Sequence, residues 1–269
     1  MNQPETSATS RIGQWASRQL ADYDAHHPGT LFAEGLVLNV AEGYELQSAV
    51  AELRQRRGER IIGYKVGCTS PKIRAQLGID HCVTGRLYDS EQHASGAVLS
   101  CTRYANLAIE GELAVELSRE PTVDYFSGVD IPACVARVFP VIELHNHVMR
   151  GKQPSAGELI ANNAFHAGVV AGYGASAEEA SGEPSLAIFA DDRLLDECEG
   201  ASLIQTISSS LKWLMEMLQA RGDRLSAGQI ILTGSIPSLI PVSEDCCIRV
   251  DAAPFSHTEV KFITWPLFQ

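Results

Sequence analysis

The chain has 269 residues, 45% of them hydrophobic and 20% charged, and a formal net charge of −12. That composition is ordinary for a globular protein with a packed core, and the acidic balance excludes a surface that holds nucleic-acid phosphates regardless of sequence. Residues 1–6 lack the basic and apolar regions of a signal peptide, and no apolar run approaches the roughly 20 residues needed to span a bilayer. A cytoplasmic location is therefore expected, with neither nucleic acid nor membrane as a partner. The seven cysteines, at 68, 82, 101, 134, 198, 246 and 247, show no C-x-x-C spacing and are expected to be reduced, mostly buried thiols.

Residues 10–27 place Ile12, Trp15, Ala16, Leu20 and Tyr23 at helical spacing, and His26-His27-Pro28-Gly29 ends the predicted helix. The histidine pair reads as exposed punctuation. A second helix is predicted over 41–57, opened by Asn39-Val40-Ala41-Glu42, striped by Tyr44, Leu46, Val50 and Leu53, and closed by Gly58. The basic run Arg54-Gln55-Arg56-Arg57 is read as its solvated end. Residues 60–68 form a β-type run with Lys65 among apolar neighbours. Such a lysine either snorkels to solvent or, desolvated beside a polar pocket, becomes an electrostatic or acid–base group. Ser70-Pro71 opens a short helix to about Leu77, and residues 80–86 read as a loop.

The stretch 107–117, Leu-Ala-Ile-Glu-Gly-Glu-Leu-Ala-Val-Glu-Leu, predicts a strand. Residues two apart share a face, so Glu110 and Glu112 stand side by side in an apolar segment. Adjacent like charges on a partly buried face need a shared proton, a basic partner or a hard divalent cation; a solvated edge strand is the alternative. Gly111, pointing the other way, reads as close packing. A short helix over 133–138 and an apolar strand over 139–144 come next, the strand carrying a single carboxylate, Glu143. Residues 158–168 read as a helix start running into a loop, 169–174 as a strand, 176–184 as a loop, and 185–189 with 193–198 as a hairpin. The clearest amphipathic helix is 205–220, with Ile207, Leu211, Leu214, Met215 and Leu218 in one stripe, and Met215 and Trp213 read as core. A strand over 229–235 ends in Thr233-Gly234-Ser235, a turn whose N–H groups can hold an anion. Strands over 247–250 and 258–264 complete the prediction.

The ordered set Gly63-Tyr64-Lys65-Val66-Gly67-Cys68-Thr69-Ser70, Glu110-Gly111-Glu112, Pro140-Val141-Ile142-Glu143, Ala161-Asn162-Asn163-Ala164 and Leu232-Thr233-Gly234-Ser235 resembles the fumarylacetoacetate hydrolase superfamily. Within it, the set is similar to the branch of 2-hydroxypenta-2,4-dienoate (2-keto-4-pentenoate) hydratases and 4-oxalocrotonate decarboxylases of aromatic catabolism. The likeness runs from about Tyr44 to Ile263. It implies an α+β fold, with a small N-terminal α/β portion followed by a mixed β-roll of the fumarylacetoacetase C-terminal type. The division implied is a mainly helical portion over 1–60 and a metal-binding catalytic domain over 61–269. It further implies that Glu110, Glu112 and Glu143 bind one Mg2+ or Mn2+, that Lys65 is catalytic and touches substrate, and that Thr233, Gly234 and Ser235 help hold the substrate. The implied reaction is that of a metal-dependent lyase, hydrating or decarboxylating a 2-oxo or 2-hydroxydienoate through a metal-chelated enolate. Hydrolysis of a C–C bond in an acylpyruvate, decarboxylation of another 2-oxo acid, and a catalytically weak partner subunit of a hydratase–decarboxylase complex are the alternatives. The resemblance also implies a dimer-based homo-oligomer and a hetero-complex with a related hydratase or decarboxylase.

The chain departs from the pattern in places that matter for proton transfer. Val83 stands where an aspartate is expected, with His81 nearby; Asn162 replaces an aspartate and Phe165 a serine. After Glu143, Asn146-His147-Val148 stands in place of Asp-Ser-Arg. His81, His145, His147 and His166 are candidates to replace the lost groups, and each also reads as a packed or surface histidine. Of these, His81 is assigned a catalytic role, and Phe165 and Arg86 are assigned substrate contacts.

Overall fold

The computed structural model describes residues 5–126, 130–148, 155–176 and 183–265. Three helices open the chain: α1 (Glu5–Asp24), α2 (Thr30–Ala33) and α3 (Val40–Arg56). The capping box of α3 is formed in full: the Glu42 N–H donates to Asn39 Oδ1 at 3.0 Å and the Asn39 N–H donates to Glu42 Oε2 at 2.8 Å. The basic end of this helix is only partly solvated. Arg54 is 5% exposed, lies 3.6 Å over the Tyr88 ring and donates to Glu59 and Glu91 at 2.8 and 2.6 Å, while Arg56 and Arg57 stay at the surface.

β1 (Ile61–Gly67), α4 (Pro71–Leu77), β2 (Val83–Tyr88), β3 (Gln92–Ala94), β4 (Ala97–Ser100), β5 (Leu107–Leu117) and β6 (Val135–Asn146) follow. α5 (Ala156–Ala161) and a 3-10 turn at Asn163–Phe165 lead into β7 (His166–Ala171). The chain continues with β8 (Ser185–Ala190), β9 (Arg193–Glu199), α6 (Ser202–Gln219), β10 (Ile230–Leu232), β11 (Ile240–Pro241), β12 (Cys246–Ala252) and β13 (Ser256–Ile263).

Two sequence expectations give way to strands. Residues 80–86, read as a loop, mostly enter β2, because Val83–Gly85 pair antiparallel with β1. The helix expected over 133–138 is the start of β6, where pairing of Val135 and Val138 with Leu117 and Val115 overrides local propensity. The loop read over 176–184 lies largely outside the described residues. Cys134 alone among the cysteines is fully buried; the other six are half-buried, and all seven are free.

One sheet has the order β2-β1-β10-β5-β6-β7-β3, with β11 on β5; the other runs β4-β13-β12-β8-β9. Parallel pairs (β1 with β10, β3 with β7, β4 with β13) mix with antiparallel ones, giving the α+β architecture of mixed sheets that the resemblance implies. The long β5–β6 pair is the spine, and its register sets Glu110 opposite Glu143 and Gly111 opposite Ile142. Ile109, Gly111 and Leu113 face the second sheet. A Cβ added to Gly111 would lie 2.7 Å from Ile188 Cδ1 and 3.0 Å from Val250 Cγ2, so the missing side chain is what lets the sheets close. The α6 stripe packs into the same core, with Ile207, Leu211 and Leu214 at 0% exposure, each contributing roughly 1.5–3 kcal/mol. On the other side, α3 packs against α1 and α5. Among the described residues, no helix is long and apolar enough to cross a membrane.

Candidate functional site

The alternation that buries Gly111 in the sandwich turns Glu110 and Glu112 to the opposite face, joined there by Glu143 and His145 from β6. Lys65 reaches the group from β1, two strands away across β10. Its neighbour on β2 is Gly85, where an added Cβ would lie 3.1 Å from Lys65 Cγ and 2.5 Å from the Asn163 carbonyl. Gly85 therefore makes room both for the lysine stem and for the turn above it.

Lys65 Nζ lies 2.8 Å from Glu143 Oε1, which also receives His166 Nδ1 at 2.7 Å. The other oxygen, Oε2, lies 3.2 Å from His145 Nε2, and that nitrogen lies 3.3 Å from Glu110 Oε2. Both Glu143 Oε2 and His145 Nε2 are buried, and among the described residues neither has a partner in hydrogen-bond geometry. Ligand atoms of Glu110, Glu143 and His145 all lie within 4.8 Å of one another. Glu112 stands beside them, 2% exposed, with Oε2 accepting the Gly234 N–H. Hard oxygen donors with one imidazole, two of whose buried atoms are unpartnered, fit a divalent cation.

The electrostatics follow from crowding. Burial pushes the Glu112 carboxyl well above its ordinary 4.5, and Glu143 and Glu110 push it the same way. Burial would also raise Glu143, but Lys65 and His145 hold it well below 4.5. Burial opposes a charge on Lys65; Glu143, Glu110 and Glu112 outweigh it and hold the ammonium above 10.5. Of the two roles open to a desolvated lysine, that of a charged electrostatic group is the one these neighbours favour. Burial and Lys65 oppose the charged His145 ring, yet Glu143 and Glu110 raise it above 6.5.

The loop over the site is a left-handed turn. Asn163, Ala164 and Phe165 have φ of 55°, 51° and 61°, a costly run for residues with a Cβ. Asn163 clamps it to β2, its Oδ1 accepting from the Arg86 N–H at 2.7 Å and its Nδ2 donating to Arg86 O at 2.8 Å. The turn brings Ala164 O within 3.4 Å of Lys65 Nζ and sets the Phe165 ring edge-on to His147, 6.3 Å between centroids.

A cavity of about 590 Å3 opens above this floor. Lys65, Glu110, His145, Phe165, Gly234 and Ser235 line it, with Val83 and Leu159 on an apolar wall. Thr233 is not among the lining residues; it is 1% exposed and ties its Oγ1 to Leu113 O at 2.7 Å. Ser235 Oγ lies 3.0 Å from Gly111 O and 2.9 Å from Pro237 O. The structure does not bring Arg86 or His81 to the carboxylates. The Arg86 guanidinium donates to Gln47 Oε1 at 2.6 Å and Ser48 Oγ at 3.0 Å, and His81 lines a separate cleft with Tyr44 and Trp213. His145 and His166 take the positions nearest Glu143. His145 was legible as the same-face neighbour two residues on; His166 arrives only through the β6–β7 pairing that sets it opposite His145.

No family model matches the chain. It is 27% identical over 204 residues to a 2-keto-4-pentenoate hydratase of Burkholderia vietnamiensis, covering 74% of this chain and 77% of the relative. It is 25% identical over 248 residues to a 4-oxalocrotonate decarboxylase of Pseudomonas putida, covering 91% and 92%. In structure it is similar to 4-oxalocrotonate decarboxylase from Pseudomonas putida G7 complexed with magnesium and adipate: TM-score 0.83, 23% identity, 95% of this chain and 98% of that one. Fumarylpyruvate hydrolase from Pseudomonas aeruginosa in complex with Mn2+ and pyruvate is similar in fold at TM-score 0.59 and 11% identity, over 75% and 89% of the two chains.

Proposed function

From its homology to 2-keto-4-pentenoate hydratases and 4-oxalocrotonate decarboxylases, we propose that this chain is a divalent-metal-dependent lyase acting on a 2-oxo or 2-hydroxydienoate, by hydration or decarboxylation. The observation that carries the reading is the cavity floor, where Glu110, Glu143 and His145 converge with two buried ligand atoms unpartnered beside a charged Lys65. Glu110, Glu112 and Glu143 would hold Mg2+ or Mn2+, with His145 Nε2 as a further donor within reach. A hard cation bound there supplies positive charge that favours the enolate form of a 2-oxo acid.

The remaining work falls to the chain's own residues. Lys65, held as an ammonium, binds the substrate carboxylate or C2 oxygen and favours negative charge there. Its bond to Glu143 and its approach to Ala164 O keep the amine aimed rather than free to rotate. The Gly234-Ser235 turn borders the same floor and positions the acid end of the substrate. Val83, Leu159 and Phe165 exclude water from the carbon chain. Residues 1–60 support the site, and 61–269 form the portion that holds it. The same reading includes a cytoplasmic location, assembly based on dimers, which analytical ultracentrifugation reads directly, and a complex with a related hydratase or decarboxylase.

An ultraviolet assay with Mg2+ against enol-dienoates, 2-oxo-enedioates and acylpyruvates tests the reaction. Loss of dienoate absorbance with or without release of carbon dioxide supports the lyase and separates decarboxylation from hydration. Turnover of acylpyruvates alone, or of none of these while Mg2+ binds, overturns it.

A further inference from the structure

The cavity above the floor is larger than the chemistry at its base requires. At about 590 Å3 it lies within the roughly 300–1,000 Å3 of pockets that hold drug-sized ligands. A carboxylate beside a C2 oxygen needs only the floor of Lys65, Glu110 and His145. Two segments line much of the rest: α4, which presents Ile73 and Leu77, and the loop after β10, which presents Ile236 and Leu239. They touch at their bases, where a Cβ added to Gly234 would lie 2.6 Å from Thr69 Cγ2. Ile73 and Ile236 are each 41% exposed, and α4 has no buried residue. Large apolar side chains left open on the wall of a ligand cavity are removed from water when an apolar part of the ligand covers them.

Charge on the same walls opposes a second carboxylate. The Arg74 guanidinium of α4 donates to Cys68 O and Thr69 O at 3.1 and 2.7 Å, which ties it to the backbone. On the facing segment the Ser238 N–H donates to Asp196 Oδ2 at 2.9 Å, so a carboxylate already stands against that wall. Among the described residues, Lys65 is the one lysine or arginine on the cavity lining, and it serves the head group at the floor. Ser70, Gln76 and Ser238 on the rim are exposed and uncharged, and do not repay the desolvation of an anion as a cation would. We propose that the far end of the substrate is an apolar substituent, alkyl or aryl, covered by Ile73, Leu77, Ile236 and Leu239, and that these residues select a monocarboxylate over a dicarboxylate. The inference rests on the 2-oxo or 2-hydroxydienoate reading of the floor and narrows it to substrates with an apolar tail.

Calorimetry of the full chain in saturating Mg2+, with saturated 2-oxo acids that share one head group, tests the selection without relying on turnover. The probes are pyruvate, 2-oxohexanoate, 2-oxooctanoate and 2-oxoadipate. 2-Oxooctanoate is expected to bind at least about 30-fold tighter than pyruvate, since each buried methylene adds roughly a factor of four. 2-Oxoadipate is expected to bind at least about tenfold more weakly than 2-oxohexanoate. Ile73→Ser combined with Ile236→Ser should reduce the gain of 2-oxooctanoate over pyruvate to a few-fold, and both side chains are open enough for the fold to be kept. In the ultraviolet assay, kcat/KM should rise from 2-hydroxypenta-2,4-dienoate to homologues with an alkyl or phenyl group on C5. Equal affinity for pyruvate and 2-oxooctanoate, tighter binding of 2-oxoadipate than of 2-oxohexanoate, or an unchanged gain in the double variant overturns the proposal. So does a higher kcat/KM for a 2-oxo-enedioate than for the alkyl dienoates. In each of these cases Mg2+-dependent binding of pyruvate leaves the reading of the floor standing. If no 2-oxo acid binds in Mg2+, the floor reading and the tail proposal fail together.

Discussion

Among the described residues, a charge cluster under the N-terminal helices and another at the cavity floor differ in how they are closed. Under the N-terminal helices, buried Arg54 faces Glu59 and Glu91, Arg57 at the surface bonds Glu59 and lies 2.7 Å from Asp24, and the Tyr23 hydroxyl adds a donor to Glu91 at 2.5 Å. Each of these three carboxylates is met by a guanidinium. At the cavity floor, Lys65 faces Glu110, Glu112 and Glu143; among the described residues His145 and Glu143 each keep a buried atom without a hydrogen bond, as Glu91 does in the scaffold cluster, but here the cluster borders a cavity. A cluster whose carboxylates are each met by a guanidinium holds scaffold together. A cluster with surplus carboxylate, opening into a cavity, is arranged to receive a cation and an anionic substrate.

The largest effect should separate the two clusters by activity. Lys65→Met is expected to lower turnover of the productive dienoate by about 10^2–10^3-fold, the scale for removing a charge-stabilising donor. It should leave Mg2+ binding at least as tight, because a competing cation is gone; loss of binding with unchanged turnover would reverse the assignment. Arg54→Leu should do the opposite. It strands the buried Glu91 charge and leaves Glu59 to Arg57 and Ser90, and is expected to cost about 3–5 kcal/mol of stability, read as a lower denaturation midpoint, with Mg2+ affinity of the folded protein unchanged.

A smaller effect is expected behind the floor. Gly111→Ala pushes a methyl into Ile188 and Val250 and should cost about 1–3 kcal/mol, measured by chemical denaturation. The smallest is an acid effect in the scaffold cluster. Burial would raise Glu59, but hydrogen bonds from Arg54 and Ser90 hold it below its ordinary 4.5. A depressed carboxylate contributes stability above its unfolded pKa and loses it as pH falls through the lower folded value. Glu59→Gln should therefore flatten that part of the decline when melting points are followed from neutral pH into the carboxylate range.

The comparison also marks what the sequence could show. Glu110, Glu112 and Glu143 were legible because strand alternation is local: two positions on one strand share a face, and an isolated carboxylate in an apolar run is conspicuous. The α3 capping box and the α6 stripe were legible for the same reason. Arg54 was misread as solvated because its partners Glu59 and Glu91 come from other elements, and nothing near residue 54 reports their arrival. β2 was hidden because its polar Thr84 and bare Gly85 look like loop; they serve Lys65 and the Asn163 turn instead. His166 was one histidine among several until β7 paired with β6.

The central claim is that the surplus carboxylates of the floor bind a divalent cation. Calorimetric titration of the full chain with Mg2+, wild type against Glu110→Gln, tests it most directly, since Glu110 is the most exposed of the carboxylates in the cluster, with 24% of its side chain accessible, and can be changed with least disturbance of the fold. The account predicts saturable single-site binding in the wild type that Glu110→Gln abolishes. Absence of binding in the wild type, or binding indifferent to Glu110→Gln, would contradict it.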